Sequence, residues 1–101
     1  MKLVYVTFPD EKTCREISEK IVSERLAAGV NFDSMNSIYW WNDEIQKDSE
    51  YRALFKTSED KVEELRERVL KLHPYDTPCI AAFEAEANED FERWVSEETE
   101  G

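Results

Sequence analysis

The chain has 101 residues, 41% of them hydrophobic and 37% charged, with a formal net charge of −11 at pH 7. A chain of this length holds one hydrophobic core, so we predict a single domain over residues 1–101. The negative charge argues against nucleic acids and anionic membranes as partners, because binding either one needs a basic surface. No apolar stretch approaches the ~20 residues of a membrane span, and the apolar run near the N-terminus is too short for a signal peptide.

The first 29 residues predict a strand followed by a helix. Residues 3–7 are β-branched or aromatic, which is typical of a strand. Asp10 is a plausible N-cap for a helix whose apolar side chains, among them Cys14 and Ile21, recur at helical spacing. We expect this helix to end at Gly29, in the left-handed conformation that glycine adopts at helix C-termini.

The next segment predicts a long β-hairpin and a second helix. Residues 30–41 are extended, residues 42–44 form a turn, and residues 45–57 form the returning strand, with apolar side chains at alternate positions. Thr57-x-x-Asp60 resembles a capping box at the start of helix 2. That helix ends at His73-Pro74, because a proline disfavours helical geometry in the residue before it.

A fourth strand over residues 79–86 and a short C-terminal helix complete the predicted elements. The order β-α-β-β-α-β predicts an α+β fold of the ferredoxin-like class, with a four-stranded antiparallel sheet and both main helices on one face. The other face of such a sheet is bare. Aromatic side chains on a bare face need cover, or the protein aggregates.

The predicted hairpin indicates what provides that cover. Ile38-Tyr39-Trp40-Trp41 is a run of four large apolar residues, so both faces of this strand need shelter. We expect a second copy of the chain to supply it, in a closed homo-oligomer. The alternative is that Trp40 and Trp41 form a ligand platform on a monomer.

Several motifs, in order along nearly the whole chain, resemble the CutA divalent-cation-tolerance family. They are Leu3-Val4-Tyr5-Val6-Thr7-Phe8-Pro9-Asp10, Glu24-Arg25-Leu26-Ala27-Ala28, Ser37-Ile38-Tyr39-Trp40-Trp41, Lys56-Thr57 and His73-Pro74-Tyr75-Asp76-Thr77-Pro78. The resemblance implies a homotrimer of ferredoxin-like subunits, similar to the PII signalling proteins. It also implies a role in tolerance of divalent metals such as copper, with no catalysed reaction and no obligatory cofactor.

The chain departs from the family pattern at two places. Gly29 stands where the family usually has a cysteine, which removes a soft metal ligand. The hairpin tip, Asn42-Asp43-Glu44, stands where the family usually has Glu-Gly-Lys, which makes this tip more acidic. Both departures weaken a residue-by-residue transfer of a ligand site, and neither threatens the fold.

His73, the only histidine, is the predicted metal contact, because imidazole suits Cu²⁺ and Zn²⁺. One histidine per chain does not make a closed zinc site, so carboxylates or neighbouring chains have to contribute. The alternative is that His73 caps its helix or pairs with a carboxylate at a subunit contact. With Trp41, Lys56 and Tyr75, His73 is also predicted to line a ligand-binding cleft between subunits, by analogy with PII-like trimers.

The two cysteines, Cys14 and Cys79, are far apart in sequence and form no CxxC motif. We predict two reduced, buried thiols in a cytoplasmic protein, with a disulfide between them as the alternative. An enzyme is disfavoured. The loop before helix 1 contains Pro9 and two acidic residues, which suits no phosphate, and a nucleophilic pair of His73 with Cys79 would need a strand-interior thiol to react.

Two functions are therefore expected. The first is a non-enzymatic homotrimer of divalent-metal tolerance that binds copper or similar cations. The second is a PII-like sensor or adaptor that binds a small molecule or a protein in the clefts between subunits.

Overall fold

The computed structural model describes residues 1–100, so Gly101, the last residue of the predicted domain, lies outside the described part. Four strands, three α-helices and a single 3₁₀ turn before the second helix follow the predicted order. The elements are β1 (Lys2–Phe8), α1 (Glu11–Ser23), β2 (Gly29–Trp41), β3 (Glu44–Thr57), the 3₁₀ turn (Glu59–Lys61), α2 (Val62–Leu72), β4 (Ile80–Glu84) and α3 (Glu89–Glu98).

The sheet has the strand order β2-β3-β1-β4, and every neighbouring pair is antiparallel. Alternate residues of β1, among them Val4 and Phe8, are fully buried against apolar side chains of α1 and α2, including Ile21 and Leu65. The two main helices therefore cover one face of the sheet, which we call the helix face. On the other face, the open face, α3 lies against the Gly29 end of β2 through Trp94. This is the predicted ferredoxin-like arrangement with an added C-terminal helix.

The start of α1 confirms the predicted cap, and its end corrects the prediction about Gly29. Asp10 Oδ1 accepts a hydrogen bond from the Thr13 backbone N–H at 2.8 Å. At the other end, the left-handed residue is Arg25, with φ of 60°, and the backbone N–H groups of Arg25 and Leu26 close a Schellman motif. Gly29 is the first residue of β2, so the helix ends four residues earlier than its glycine indicated.

The predicted capping box before α2 is wrong. Thr57 Oγ1 donates instead to the Leu26 carbonyl at 2.7 Å, across the core, and Thr57 is fully buried. The 3₁₀ turn begins after Ser58, whose side chain caps no backbone N–H. The tertiary contact prevails because Thr57 still belongs to the sheet, where its side chain points inward. The predicted end of α2 is confirmed, with His73 as the residue that follows its last turn.

The β2–β3 hairpin extends well past the rest of the sheet. Pairing of β1 with β3 stops at Phe8 and Tyr51, whereas pairing of β2 with β3 continues to Trp41 and Glu44. The last seven residues of β2 and the first seven of β3 therefore form a two-stranded extension about 23 Å long. This extension helps to give the subunit its longest dimension of 45 Å.

The fourth strand is shorter than predicted, and this changes the place of one cysteine. Strand β4 runs from Ile80 to Glu84, so Cys79 lies in the preceding loop and is exposed, contrary to the prediction of a buried thiol. Cys14 is buried as predicted, and both cysteines are free thiols. No helix within residues 1–100 has the length and apolar character of a membrane span.

Candidate functional site

A cavity of about 830 Å³ lies on the open face of the sheet, between the hairpin extension and the loop that follows α2. One wall comes from the hairpin and the opposite wall from loop residues 74–79. Side chains that matter for its chemistry are Tyr5, Tyr39, Trp41, Glu50, Tyr75 and Asp76.

Strand periodicity places the hairpin side chains in this cavity. Met35 pairs with Glu50 across the hairpin, and side chains alternate along each strand, so Tyr39 and Trp41 share the face of Met35. Tyr5 of β1 lies on the same face and donates from its hydroxyl to the Met35 sulfur at 3.5 Å. The cavity therefore receives side chains from β1, β2 and β3, three strands that are distant in sequence.

His73 holds the loop wall in place through both of its ring nitrogens. Nδ1 accepts a hydrogen bond from the Tyr75 backbone N–H at 3.1 Å, so the proton of the neutral ring sits on Nε2, which donates to the Thr7 carbonyl at 2.6 Å. The ring also stacks on Phe8, with 5.0 Å between ring centroids. Burial lowers the pKa of His73, with the Thr7 contact opposing it, which favours this neutral form.

Two phenol–carboxylate pairs border the cavity. Tyr75 donates from its hydroxyl to Glu50 Oε2 at 2.7 Å, which ties the loop to the hairpin. Tyr39 donates in the same way to Asp48 across the hairpin. The hydrogen bond to Asp48 raises the pKa of Tyr39 to about 12, and burial together with Glu50 raises the pKa of Tyr75. Both phenols therefore stay protonated at neutral pH.

The electrostatics of the cavity are negative. Within residues 1–100, no Lys, Arg or His side chain lines it, whereas Glu50 and Asp76 do. Arg52, further along the open face, is neutralised by a two-pronged contact to Asp33 at 2.8 and 3.1 Å. The site therefore suits a cation and repels an anion.

The structure brings together some of the predicted site residues and separates one. Trp41 and Tyr75 line the cavity, and His73 supports Tyr75 from behind the wall. Lys56 pairs with Leu3 and Gly29, six residues along β3 from Glu50, or about 20 Å away. Burial lowers its pKa. Lys56 is therefore not part of this cavity within one subunit.

Sequence reasoning missed Glu50 and Tyr39. The alternation along β3 places Glu50 on the same face as Arg52, but only the register with β2 and the position of Tyr75 show that it faces a cavity. That register is set by the two-residue turn, which strand patterns alone locate only to within a residue or two.

A metal centre is not preformed in the subunit. Among residues 1–100, no group of three or more His, Cys, Asp or Glu side chains is placed to hold a metal ion. A metal contact at His73 stays a prediction, and it requires the ring to give up one of its two hydrogen bonds, because neither nitrogen has a free lone pair.

The chain matches known proteins over nearly its whole length. The model of the CutA1 divalent ion tolerance protein family matches residues 2–98. The divalent-cation tolerance protein CutA of Pyrococcus horikoshii is 42% identical over 100 residues, which cover 98% of each chain. The protein of the same name from Thermotoga maritima is 44% identical over 98 residues, or 96% of this chain and 97% of that one.

Solved structures give the same result. The periplasmic divalent cation tolerance protein CutA of Archaeoglobus fulgidus superposes with a TM-score of 0.95 at 32% identity, covering 99% of this chain and 100% of that one. The PII-like protein CutA of Nostoc sp. PCC 7120 superposes with a TM-score of 0.93 at 28% identity, covering 99% and 98%. Together, the family model, the relatives and the shared fold show that the chain belongs to the CutA1 divalent ion tolerance protein family.

Proposed function

We propose that the chain acts in tolerance of divalent cations as a non-enzymatic, cytoplasmic homotrimer. Its family membership supports the link to divalent cations, and two free cysteines support a reducing compartment. Both ring nitrogens of His73 bond to backbone groups. This supports a structural role for His73, in agreement with a non-enzymatic function.

The hairpin extension is the observation that supports association of subunits, and the family resemblance supplies the number three. Its helix face presents Ile38, Trp40 and Ile45, which are 72%, 72% and 56% exposed in the single subunit. Their exposure shows that, within residues 1–100, no helix covers this part of the hairpin. An apolar surface of this kind is stable in water when a second copy covers it.

Sedimentation of the wild type and of Ile38→Lys tests the assembly. We expect three times the mass of one chain for the wild type, and a smaller species for the variant, because a buried lysine disfavours the interface. Leu70→Lys is the matched control, since Leu70 is 50% exposed on α2, away from the hairpin. A wild-type monomer, or equal behaviour of both variants, would contradict the proposal.

Direct cation binding is the finer part of the proposal. A calorimetric titration of the assembled protein with Cu²⁺ and Zn²⁺, run in parallel on His73→Ala, tests it. Saturable binding at a fixed ratio per chain that the variant loses would support His73 as a ligand. Saturable binding that the variant keeps would instead favour carboxylates shared between subunits, and weak heat without saturation would leave only the acidic surface attracting ions.

The cavity favours a second candidate, a PII-like sensor or adaptor that binds a small molecule on the open face. Its volume of about 830 Å³ lies in the range of small-molecule sites. In this case the link to divalent cations is indirect.

A further inference from the structure

We propose that Lys56 forms an ion pair with a carboxylate of a second copy of the chain when the subunits assemble. This inference rests on the proposed homo-oligomer, and it adds a residue that fixes how one copy sits on the open face of the next. It follows from the position of Lys56, from the partner that it lacks within the subunit and from the acidic character of the chain.

Lys56 lies on the open face, at the end of the sheet away from the hairpin tip. Its cross-strand neighbours are Leu3 on β1 and Gly29 on β2, and Trp94 of α3 lies against Gly29. Side chains alternate along β3, so Lys56 shares its face with Arg52. Lys56 is half-buried already in the single subunit.

Within residues 1–100, Lys56 is the one cation on the open face of the strands that has no carboxylate partner. Arg52 contacts Asp33, whereas the Lys56 ammonium forms no ion pair or hydrogen bond. Burial lowers the pKa of Lys56, and no nearby carboxylate opposes this. In Lys2 and Arg68, which are also half-buried, a side-chain nitrogen lies 3.0 and 2.9 Å, respectively, from a carboxylate oxygen.

Cover of the open face by another copy makes a partner for Lys56 necessary. Leu54 and Phe83 share the face with Lys56, so a copy that shelters these apolar side chains also removes water from the ammonium. A cation that loses water is costly to bury, and a contact with a carboxylate offsets that cost. The chain has 24 Asp and Glu against 13 Lys and Arg, so a carboxylate is the available counter-charge. The approaching copy therefore presents an Asp or Glu to Lys56.

Cross-linking with a water-soluble carbodiimide tests this contact, because the reagent joins an amine to a carboxylate that touches it. The assembled wild-type protein is treated at pH 7 and separated on a denaturing gel. We expect a band of two joined chains, in which peptide mapping finds Lys56 linked to an Asp or Glu. Lys56→Arg keeps the positive charge but forms no such link, so the band should weaken. Lys20→Arg, at an exposed position on α1, is the matched control and should retain the band.

Lys56→Met removes the charge and keeps an unbranched apolar side chain. Because the carboxylate of the other copy then stays buried without a counter-charge, the dissociation constant of the assembly should rise roughly tenfold or more. Sedimentation over a dilution series measures it, with urea present where dilution alone does not dissociate the wild type. Lys20→Met should leave the dissociation constant unchanged.

Two results would overturn the inference while the assembly itself stands. One is an assembled wild type without a cross-link from Lys56 to another chain, and the other is a Lys56→Met variant that associates as tightly as the wild type. A wild type that sediments as a monomer would overturn both this inference and the proposed homo-oligomer.

Discussion

At the scale of the residue, His73 shows how a hydrogen-bond network decides what a side chain can do. Its sequence position is compatible with a structural role at the end of α2, and the family resemblance raised a metal contact as the other possibility. The structure supplies partners for both ring nitrogens, which favours the structural role. The local sequence pattern predicts neither partner, which are the carbonyl of Thr7 on β1 and the backbone N–H of Tyr75 in the loop after α2.

The lowered pKa of His73 predicts a pH dependence of stability. The unfolded chain binds a proton near pH 6.5 and the folded chain only at lower pH, so the free energy of unfolding should decrease as the pH falls from about 6.5 through the folded-state pKa, and this contribution is absent at higher pH. Chemical denaturation between pH 7.5 and 5.5, at one protein concentration, measures it.

His73→Gln is the control for that experiment, because its amide nitrogen can donate to Thr7 but does not titrate. The slope in this pH window should shrink in the variant. The contacts with Arg52 and Lys2 lower the pKa values of Asp33 and Glu84, so the stability contributions of these two carboxylates are lost only at more acidic pH. An identical slope in both proteins would assign the pH dependence to other groups.

Thr57 gives a second prediction at this scale. Thr57→Val keeps the shape of the side chain but leaves the Leu26 carbonyl without its 2.7 Å hydrogen bond inside the core. We expect a loss of about 1–2 kcal/mol in the free energy of unfolding, measured by chemical denaturation. Thr57→Ser keeps the hydroxyl and should cost less. A valine variant as stable as the wild type would show that this bond contributes nothing.

At the scale of the element, the hairpin turn carries strain that a substitution can relieve. Asn42 and Asp43 form a two-residue turn, both with positive φ, of 51° and 60°. Hairpins of this type prefer Asn-Gly, because glycine adopts positive φ without a steric penalty. Asp43→Gly should therefore stabilise the protein by about 0.5 kcal/mol, visible as a higher denaturation midpoint, and Asp43→Val should do the opposite.

The elements themselves were largely predictable from sequence, since amphipathic periods and the His73-Pro74 stop signal are local. The errors came where a distant contact overrode a local signal. Gly29 belongs to a strand, and the Cβ that it lacks would approach Trp94 of α3 at 3.4 Å. Cys79 lies outside β4 because the strand pairs with β1 only from Ile80 onward.

The candidate site was less predictable than the elements. Trp41 and Tyr75 were identified from motifs, but the cavity also needs Glu50 and Tyr5, which come from two other strands. Their meeting depends on the pairing register of β1, β2 and β3, and a shift of one residue would turn each side chain to the other face.

At the scale of the whole molecule, assembly and stability should be coupled. If folding is completed by association, the unfolding midpoint rises with protein concentration, as mass action requires. Thermal unfolding over a hundredfold range of concentration should show this for the wild type. Trp40→Ser should remove most of the effect, because Trp40 is 72% exposed in the single subunit. A midpoint independent of concentration in the wild type would indicate a monomer.

The position of β2 also affects how a newly made chain folds and assembles. This strand is 13 residues long and lies at the edge of the sheet, so in the described subunit one row of its backbone N–H and C=O groups pairs with no other strand. Until another copy arrives, a newly made chain carries both this row and the bare tryptophan of its hairpin. Correct association therefore competes with indiscriminate strand addition. A high local concentration of unassembled chains should favour indiscriminate strand addition over correct association. A mutation that slows assembly would then appear first as inclusion bodies rather than as a folded single subunit.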